Sequence, residues 1–320
     1  MEYKLLIHDS TGKKMYEPVT EEGITWTTDI KGTPSELNFK IKSSDIVTKV
    51  GSAVNFKVDG KPVFFGFIFN KKFDKERWSD ITAYDQLRYL KNKDTYLFKN
   101  KRADQIVRML AGDFRLKTGN IENTKYVIPK RLEENKSLFD MIQGALDLTL
   151  QHTKKMYVLW DNFGKLTLSN IENRKIKIII EESNIENFSY ENSIDKDSYN
   201  KVKLTYDNKE TGKREVFIAQ DSKNMNRWGI LQHYEKLQNK ENAKSKANSL
   251  LNLYNHRQKS LTVKNVLGDT RVRAGTMVVV QLNLGDLKLN NWMLVTKAKH
   301  TFKNEEHKMD LTLRGGEFSG

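Results

Sequence analysis

The chain of 320 residues is long enough for two or more structural units, and its 38% apolar and 10% aromatic content excludes a wholly disordered polymer. The absence of cysteine removes disulfide scaffolds, thiolate zinc sites, iron–sulfur clusters and cysteine nucleophiles. Lysine and arginine (55) outnumber aspartate and glutamate (41) by 14, which favours an acidic partner, yet the lysines are spread along the whole chain and charge alone selects no function.

The opening MEYKLLIHDSTGKK lacks the layout of a signal peptide, and no apolar run reaches roughly 18 residues, so a soluble chain with no membrane insertion is expected. The first 84 residues read as strands. Tyr3–Ile7 precedes a turn at residues 9–13, then Leu37, Phe39 and Ile41 alternate with polar residues, as do Val54, Phe56 and Val58. Asp59-Gly60 is a strong hairpin signal, followed by the apolar run Val63–Phe69, a charged tip at Lys71–Arg77 and a returning strand at Trp78–Tyr84. This pattern predicts a small antiparallel barrel or sandwich.

From residue 85 the period changes. A short helix is expected at Asp85–Leu90, and a second at Arg102–Ala111, with Ala103, Ile106, Val107 and Leu110 on one face. Ser137 followed by Asp140 reads as a capping box opening a helix that buries Leu138, Met141, Ile142, Ala145 and Leu146. A hairpin at Met156–Trp160 and Lys165–Ser169 closes an α+β unit. Strands resume at Ile176–Ile180 and Lys201–Tyr206. A helix beginning at Asn239 or Lys240 lines up Ala243, Ala247, Leu250, Leu251 and Tyr254, and strands at Leu261–Val263, Met277–Leu282, Trp292–Lys299 and Lys308–Arg314 finish the chain.

An internal repeat is the most informative feature. Leu37, Lys40, Gly51 and Val54 match Leu261, Lys264, Gly275 and Val278 at one shift of 224. Trp78–Tyr84 corresponds to the stretch near His307–Leu313, and Lys4-Leu5 with Thr11–Lys14 echoes Lys203-Leu204 with Thr211–Arg214. The change of shift is ascribed to the helix 240–256 carried by the second copy alone. The expected architecture is α+β and β-rich: a first tube-like β-barrel over 1–84, an α+β middle domain over 85–175, and a second β-barrel over 176–320 with the inserted helix. Three such chains around a threefold axis would place six similar barrels in a ring, as an adaptor between sixfold and threefold assemblies requires.

Three segments carry a resemblance to a known family: Val127-Ile128-Pro129 through Glu133-Glu134-Asn135-Lys136-Ser137-Leu138-Phe139-Asp140, then Tyr157-Val158-Leu159-Trp160-Asp161-Asn162-Phe163-Gly164, then Arg273-Ala274-Gly275-Thr276 with Trp292–Val295, His300 and His307–Leu313. In these the chain resembles the XkdQ/YqbQ-like hub proteins of phage and prophage tails, relatives of the central baseplate hub of contractile tails and of late-control-type proteins. The match spans essentially the whole length, and its motifs are packing and turn patterns rather than catalytic signatures. The resemblance implies a structural baseplate hub in a virion or phage-tail-like particle (phage, defective prophage or tail-like bacteriocin), assembled in the bacterial host cytoplasm. It implies a homotrimer between the tail tube protein and a central spike protein, with other baseplate components and the tape-measure protein as further neighbours.

The residues themselves offer no catalytic set. The six histidines show no metal-ligand spacing; His300 and His307 would face one another across the last hairpin, either as a metal pair or as ordinary strand residues. Glu133/Glu134, Glu181/Glu182 and Glu305/Glu306 are adjacent rather than convergent, so they read as solvated surface charge and not as a glycosidase pair. No nucleophile elbow or phosphate loop occurs. The expectation is no enzyme, no cofactor and no metal.

Partner contacts are expected instead at the basic tip Lys71, Lys72, Phe73, Lys75 and Arg77, and at its repeat counterpart Lys297, Lys299 and Lys303, with Phe302 as the interleaved aromatic. Trp228, in a loop-like stretch, reads as either an exposed anchor or a core plug. Open strand edges are expected to pair or pack between subunits. The rival reading is a basic two-barrel protein binding single-stranded nucleic acid; the hub reading calls for no specific nucleic acid.

Overall fold

The computed structural model describes residues 1–9, 14–42, 48–195, 197–237, 242–284 and 287–315. Period-two alternation lays down seven strands in the first part: β1 (Tyr3–His8), β2 (Met15–Tyr16), β3 (Thr20–Asp29), β4 (Glu36–Lys42), β5 (Ala53–Val58), β6 (Lys61–Phe73) and β7 (Trp78–Tyr84). Asp59 and Gly60 both take positive φ (45° and 72°), the primed two-residue turn that matches the twist of β5 and β6.

The middle part holds β8 (Lys93–Arg102), α1 (Ala103–Asp113), β9 (Thr118–Ile121), β10 (Val127–Ser137), α2 (Leu138–Thr153), β11 (Tyr157–Asp161) and β12 (Leu166–Asn170). Asp85 caps a 3-10 turn over Gln86–Lys91 by accepting from the Leu87 amide. Ser137 Oγ accepts from the Asp140 amide at 3.1 Å and starts α2. The apolar faces of α1 and α2 bury into one core with Phe98, Ile128 and Leu168. Two pairings had no sequence forecast: β8 with β10 as an antiparallel ribbon, and β9 parallel to β12.

The last part runs β13 (Lys175–Glu181), β14 (Asn187–Ser193), β15 (Lys201–Asp207), β16 (Arg214–Gln220), α3 (Ser222–Trp228), β17 (Gln232–Lys236), α4 (Ala243–Tyr254), β18 (Gln258–Leu267), β19 (Met277–Leu284), β20 (Leu287–Lys303) and β21 (Glu306–Gly315).

The repeat is visible in the strand order. The first half pairs as β3-β4-β7-β6-β5-β1, and the second as β14-β18-β21-β20-β19-β13. Registers agree in detail: Leu37 faces Ala83 on β7, and Leu261 faces Leu313 on β21. A bulge between Ile68 and Asn70 recurs between Val295 and Lys297. The halves differ in their first strand, since β1 is antiparallel to β5 whereas β13 is parallel to β19.

The structure departs from the expected pair of barrels. Neither half closes on itself among the described residues. Instead β20, 17 residues long, pairs with β19 and β21 and then with β3, fusing both halves into one 13-stranded sheet. Phe302 of β20 accordingly sits in the first core beside Ile24, Trp26 and Phe56, while Val295 and Ala298 serve the second.

The insertion in the second half is also larger than one helix. It is a unit between β14 and β18, with the separate sheet β16-β15-β17 and α4 laid on it through Ala243, Ala247 and Leu250. These alanines pack on β15 and β16 rather than on the large sheet, because the insertion brings its own sheet. Lys203-Leu204 lies in β15, so it is not the counterpart of Lys4-Leu5 in β1; Thr11–Lys13 and the forecast helix start at 239–240 lie outside the described residues.

Candidate partner surfaces and the buried junction

The basic tip between β6 and β7 splits into two roles. Lys71 turns inward, and its Nζ donates to Thr48 Oγ1 at 2.9 Å and to the Thr48 carbonyl at 3.2 Å. Lys72, Phe73, Lys75 and Arg77 are exposed, Phe73 by 79%. Asp74 Oδ1 accepts from the amides of Glu76 and Trp78 at 3.0 and 2.9 Å, which orders the turn and holds Phe73 out beside three cations.

Lys297, Lys299 and Lys303 are exposed on β20, but the first two lie in the body of the sheet, not at a tip. Alternation sends Ala298, His300 and Phe302 inward. Phe302 is fully buried, 4.9 Å from the Phe56 ring and 4.2 Å from His307, so the expected interleaving of Phe302 with these lysines is corrected. The basic aromatic strip that the nucleic-acid reading needs is therefore lost at this strand.

What the lysines join is a hydrophilic face running across the fused sheet. One row reads Thr82, Asn38, Thr25, Thr301 and Lys308, and the next reads Tyr84, Glu36, Thr27, Lys299 and Asp310. Thr82 Oγ1 donates to Asn38 Oδ1 at 2.8 Å within it.

Trp228 ends the short helix α3, capped by Asp221 through the amides of Lys223 and Asn224, and is half-buried. It is neither a fully exposed anchor nor a core plug. Close by in sequence, the outer face of the inserted sheet exposes Val216, Ile218 and Tyr234 at about half their areas. Sequence reading missed this patch, although REVFIAQ places apolar residues on both faces of β16, a signal that both sides seek cover.

His300 and His307 do meet, and their geometry assigns the protons. The Val272 carbonyl can only accept, so His300 Nε2 donates to it at 2.8 Å. That leaves His300 Nδ1 as the acceptor for His307 Nε2–H, also at 2.8 Å. Burial, with the neighbouring ring adding to it, pushes His300 down to about 3, and burial pushes His307 to about 4, so both are neutral at pH 7. The facing nitrogens are spent on one another and on the backbone. Among the described residues no cluster of His, Asp and Glu has metal-site geometry.

The carboxylate pairs are not all solvated. Glu133 is buried and ion-paired with Arg131 and Lys136, while Glu134 is exposed. Glu181, Glu182, Glu305 and Glu306 are exposed as expected.

A buried junction ties the three parts of the chain together, and Arg273 is its centre. Nη1 donates to the Asp161 carbonyl at 2.9 Å and Nη2 reaches Ser35 Oγ at 3.5 Å, while the next amide, of Ala274, donates to Thr28 Oγ1 at 2.9 Å. Asp85 accepts from the amides of Ser35 and Leu87, and Asp161 from the Gly164 amide and the Gln86 side chain. Burial first, and the Asp161 charge second, raise the Asp85 carboxyl to about 8, so one acid here is held neutral.

A YQBQ-like family model matches residues 24–314. The uncharacterized protein YqbQ of Bacillus subtilis (strain 168) is 33% identical over 271 residues, covering 82% of this chain and 80% of its own. The phage-like element PBSX protein XkdQ of the same organism is 32% identical over 267 residues, with 82% and 80% covered. Among solved structures, a tail protein from Neisseria meningitidis MC58 superposes with a TM-score of 0.69 at 13% identity, covering 100% of this chain and 98% of that one. The 43 kDa tail protein of prophage MuSo2 from Shewanella oneidensis gives 0.67 at 14%, covering 98% and 96%. Matching sequence and matching fold agree: the chain belongs to the YQBQ-like family.

Proposed function

We propose that this chain is a structural component of a phage tail or phage-tail-like particle, a baseplate hub that matches the sixfold symmetry of a tail tube to a threefold spike. The observation that carries this reading is the duplicated six-strand order, β3-β4-β7-β6-β5-β1 and β14-β18-β21-β20-β19-β13, fused edge to edge through β20 and β3. Two like units in one chain let three chains present six, and the shared sheet holds the two at a fixed angle. The hydrophilic rows of threonine, asparagine and paired charges would line the channel, and β13, β14 and β2, the strands of the large sheet with one partner each among the described residues, would meet neighbouring subunits along their open edges.

The family assignment supports this role, as does a tail-type fold. So does the likeness to the E. coli c3393 protein, described as a component of the type VI secretion system with structural similarity to the T4 tail proteins gp27 and gp5 (TM-score 0.59, 7% identity, covering 100% of this chain and 78% of that one). The role is mechanical, without catalysis, cofactor or metal, and its partners are the tube protein, the spike, other baseplate components and the tape-measure protein.

Light scattering of the purified chain, followed by negative-stain averages, tests the proposal. A particle of three chains with six similar lobes around the axis is expected. A stable monomer or dimer at the concentrations where tails assemble, or a ring without sixfold modulation, would overturn it.

A further inference from the structure

Beside the junction opens a cleft of about 310 Å³, lined among others by Trp26, Trp160, Arg174, Lys175 and Arg273. Its chemistry is unbalanced. The guanidinium carbon of Arg174 lies 4.1 Å from the centre of the Trp160 ring, and that of Arg273 lies 4.7 Å from the same ring and 5.3 Å from Trp26. Guanidinium is weakly hydrated and stacks on aromatic faces while keeping its edge donors available.

Several donors in this cleft have no hydrogen-bond acceptor among the described residues. Arg273 Nε and Trp26 Nε1 are both buried without a hydrogen-bond partner among the described residues. A buried donor left unpaired carries its whole desolvation penalty, so two at one cleft call for an explanation. Arg174 uses only Nε, which donates to the Gly275 carbonyl at 3.0 Å; its two terminal nitrogens have no hydrogen-bond partner among the described residues.

The nearby carboxylates are already engaged. Asp85 and Asp161 hold the amides and side chain described above, and Glu122 accepts from the Asn170 amide and the Asn173 side chain. The two guanidiniums also act on each other: burial, then the Arg273 charge, bring Arg174 down to about 9, against the weaker opposing pull of the Glu122 carboxylate.

We propose that this cleft is a binding site for an oxyanion, a carboxylate or phosphate group, held by the terminal nitrogens of Arg174 against the second positive charge of Arg273 over Trp160. An anion there accepts hydrogen bonds from a planar fork and screens two cations from one another, which is the recognition that guanidinium pairs provide. The site is independent of the tail role proposed above.

Thermal unfolding of the full chain tests it, in titrations of inorganic phosphate and of acetate against chloride at matched ionic strength. A saturable rise of the midpoint is expected, as mass action requires of a ligand bound by the folded state. With Arg174→Gln the rise should vanish or need about tenfold more anion. A response to phosphate alone assigns a phosphate group, and a response to acetate as well assigns a carboxylate; both support the site. No saturable response beyond chloride, or an equal response in Arg174→Gln, overturns it. Should Arg174→Gln fold poorly, Arg174→Lys keeps the charge without the fork. Tryptophan emission titrated with phosphate then decides, a wild-type response weakened in Arg174→Lys supporting the site and an unchanged one overturning it.

Discussion

Gly51 and Gly275 stand at one and the same position of the duplicated unit. Each has positive φ (92° and 85°), and each donates its amide to the carbonyl of the residue opening the shared bulge, Ile68 or Val295, at 2.8 Å. The following residues repeat as well, with Ser52 and Thr276 accepting from the Ile68 and Val295 amides at 2.9 and 2.8 Å.

Their surroundings separate them. A Cβ at Gly51 meets nothing within 4 Å, whereas one at Gly275 falls 2.8 Å from both Val158 methyls. Gly51→Ala should therefore cost about 1 kcal/mol from left-handed backbone alone. Gly275→Ala should cost roughly 1–3 kcal/mol more, because the middle part must shift. Urea midpoints of the two variants measure the difference, and equal losses would contradict it.

Asp85 predicts a pH dependence of stability. Its carboxyl is near 3.8 when unfolded and about 8 when folded, so between these values the folded state binds the extra proton. Its contribution is full below pH 4 and is lost as pH rises towards 8, at a slope of up to about 1.4 kcal/mol per pH unit. Asp85→Asn should flatten that slope, read from urea midpoints between pH 5 and 8. An unchanged slope would show that Asp85 ionises without penalty.

At the β6–β7 tip, Phe73 and the three exposed cations should serve partners rather than the fold. Phe73→Ser with Lys72→Glu and Lys75→Glu is expected to leave the unfolding free energy within about 0.5 kcal/mol of wild type while lowering the yield of complete tails. Lys71→Glu should differ, lowering stability because it breaks the bonds to Thr48. Normal tail counts by electron microscopy for the first variant would remove the tip from the interface.

Hydrogen exchange distinguishes open from covered strand edges. Residues of β13 and β14 should exchange more slowly in the assembled particle than in the free chain, by tenfold or more for an edge that gains backbone partners (roughly 1.4 kcal/mol). Equal protection in both would mean that the edges stay open.

How far the sequence could be read depended on the range of the interactions. Alternation at Leu37, Phe39 and Ile41 and at Val54, Phe56 and Val58, the Asp59-Gly60 turn and the Ser137 cap are local, and each was visible in one stretch of chain. The 224-residue repeat located the corresponding strands β4 with β18 and β5 with β19 because Leu37 and Leu261, and Val54 and Val278, hold the same buried positions, with Gly51 and Gly275 at the same turn. Pairing partners are not local. Nothing in Lys297–Phe302 announces that this segment runs beside Ile24–Asp29, and without that pairing Phe302 reads as an exposed aromatic. The β8–β10 ribbon escaped for another reason: KDTYLFKNKR and VIPKRLEENKS are too polar to alternate cleanly, since one face is solvent and the other holds the buried Arg131–Glu133 ion pair. The anion cleft escaped as well, because Trp26, Trp160, Arg174 and Arg273 converge from four distant positions.

The joint between the halves is a strand, not a linker. Neighbouring strands rotate by about 20–25° as a sheet coils, so the swing from one half to the other is accumulated stepwise across β20 and β3 and has no hinge to relax it. Any circle built from such chains would inherit its bore from that coil. Substitutions at the outward-facing positions of β20, such as Lys297 and Lys299, would then widen or narrow the passage while leaving both cores untouched.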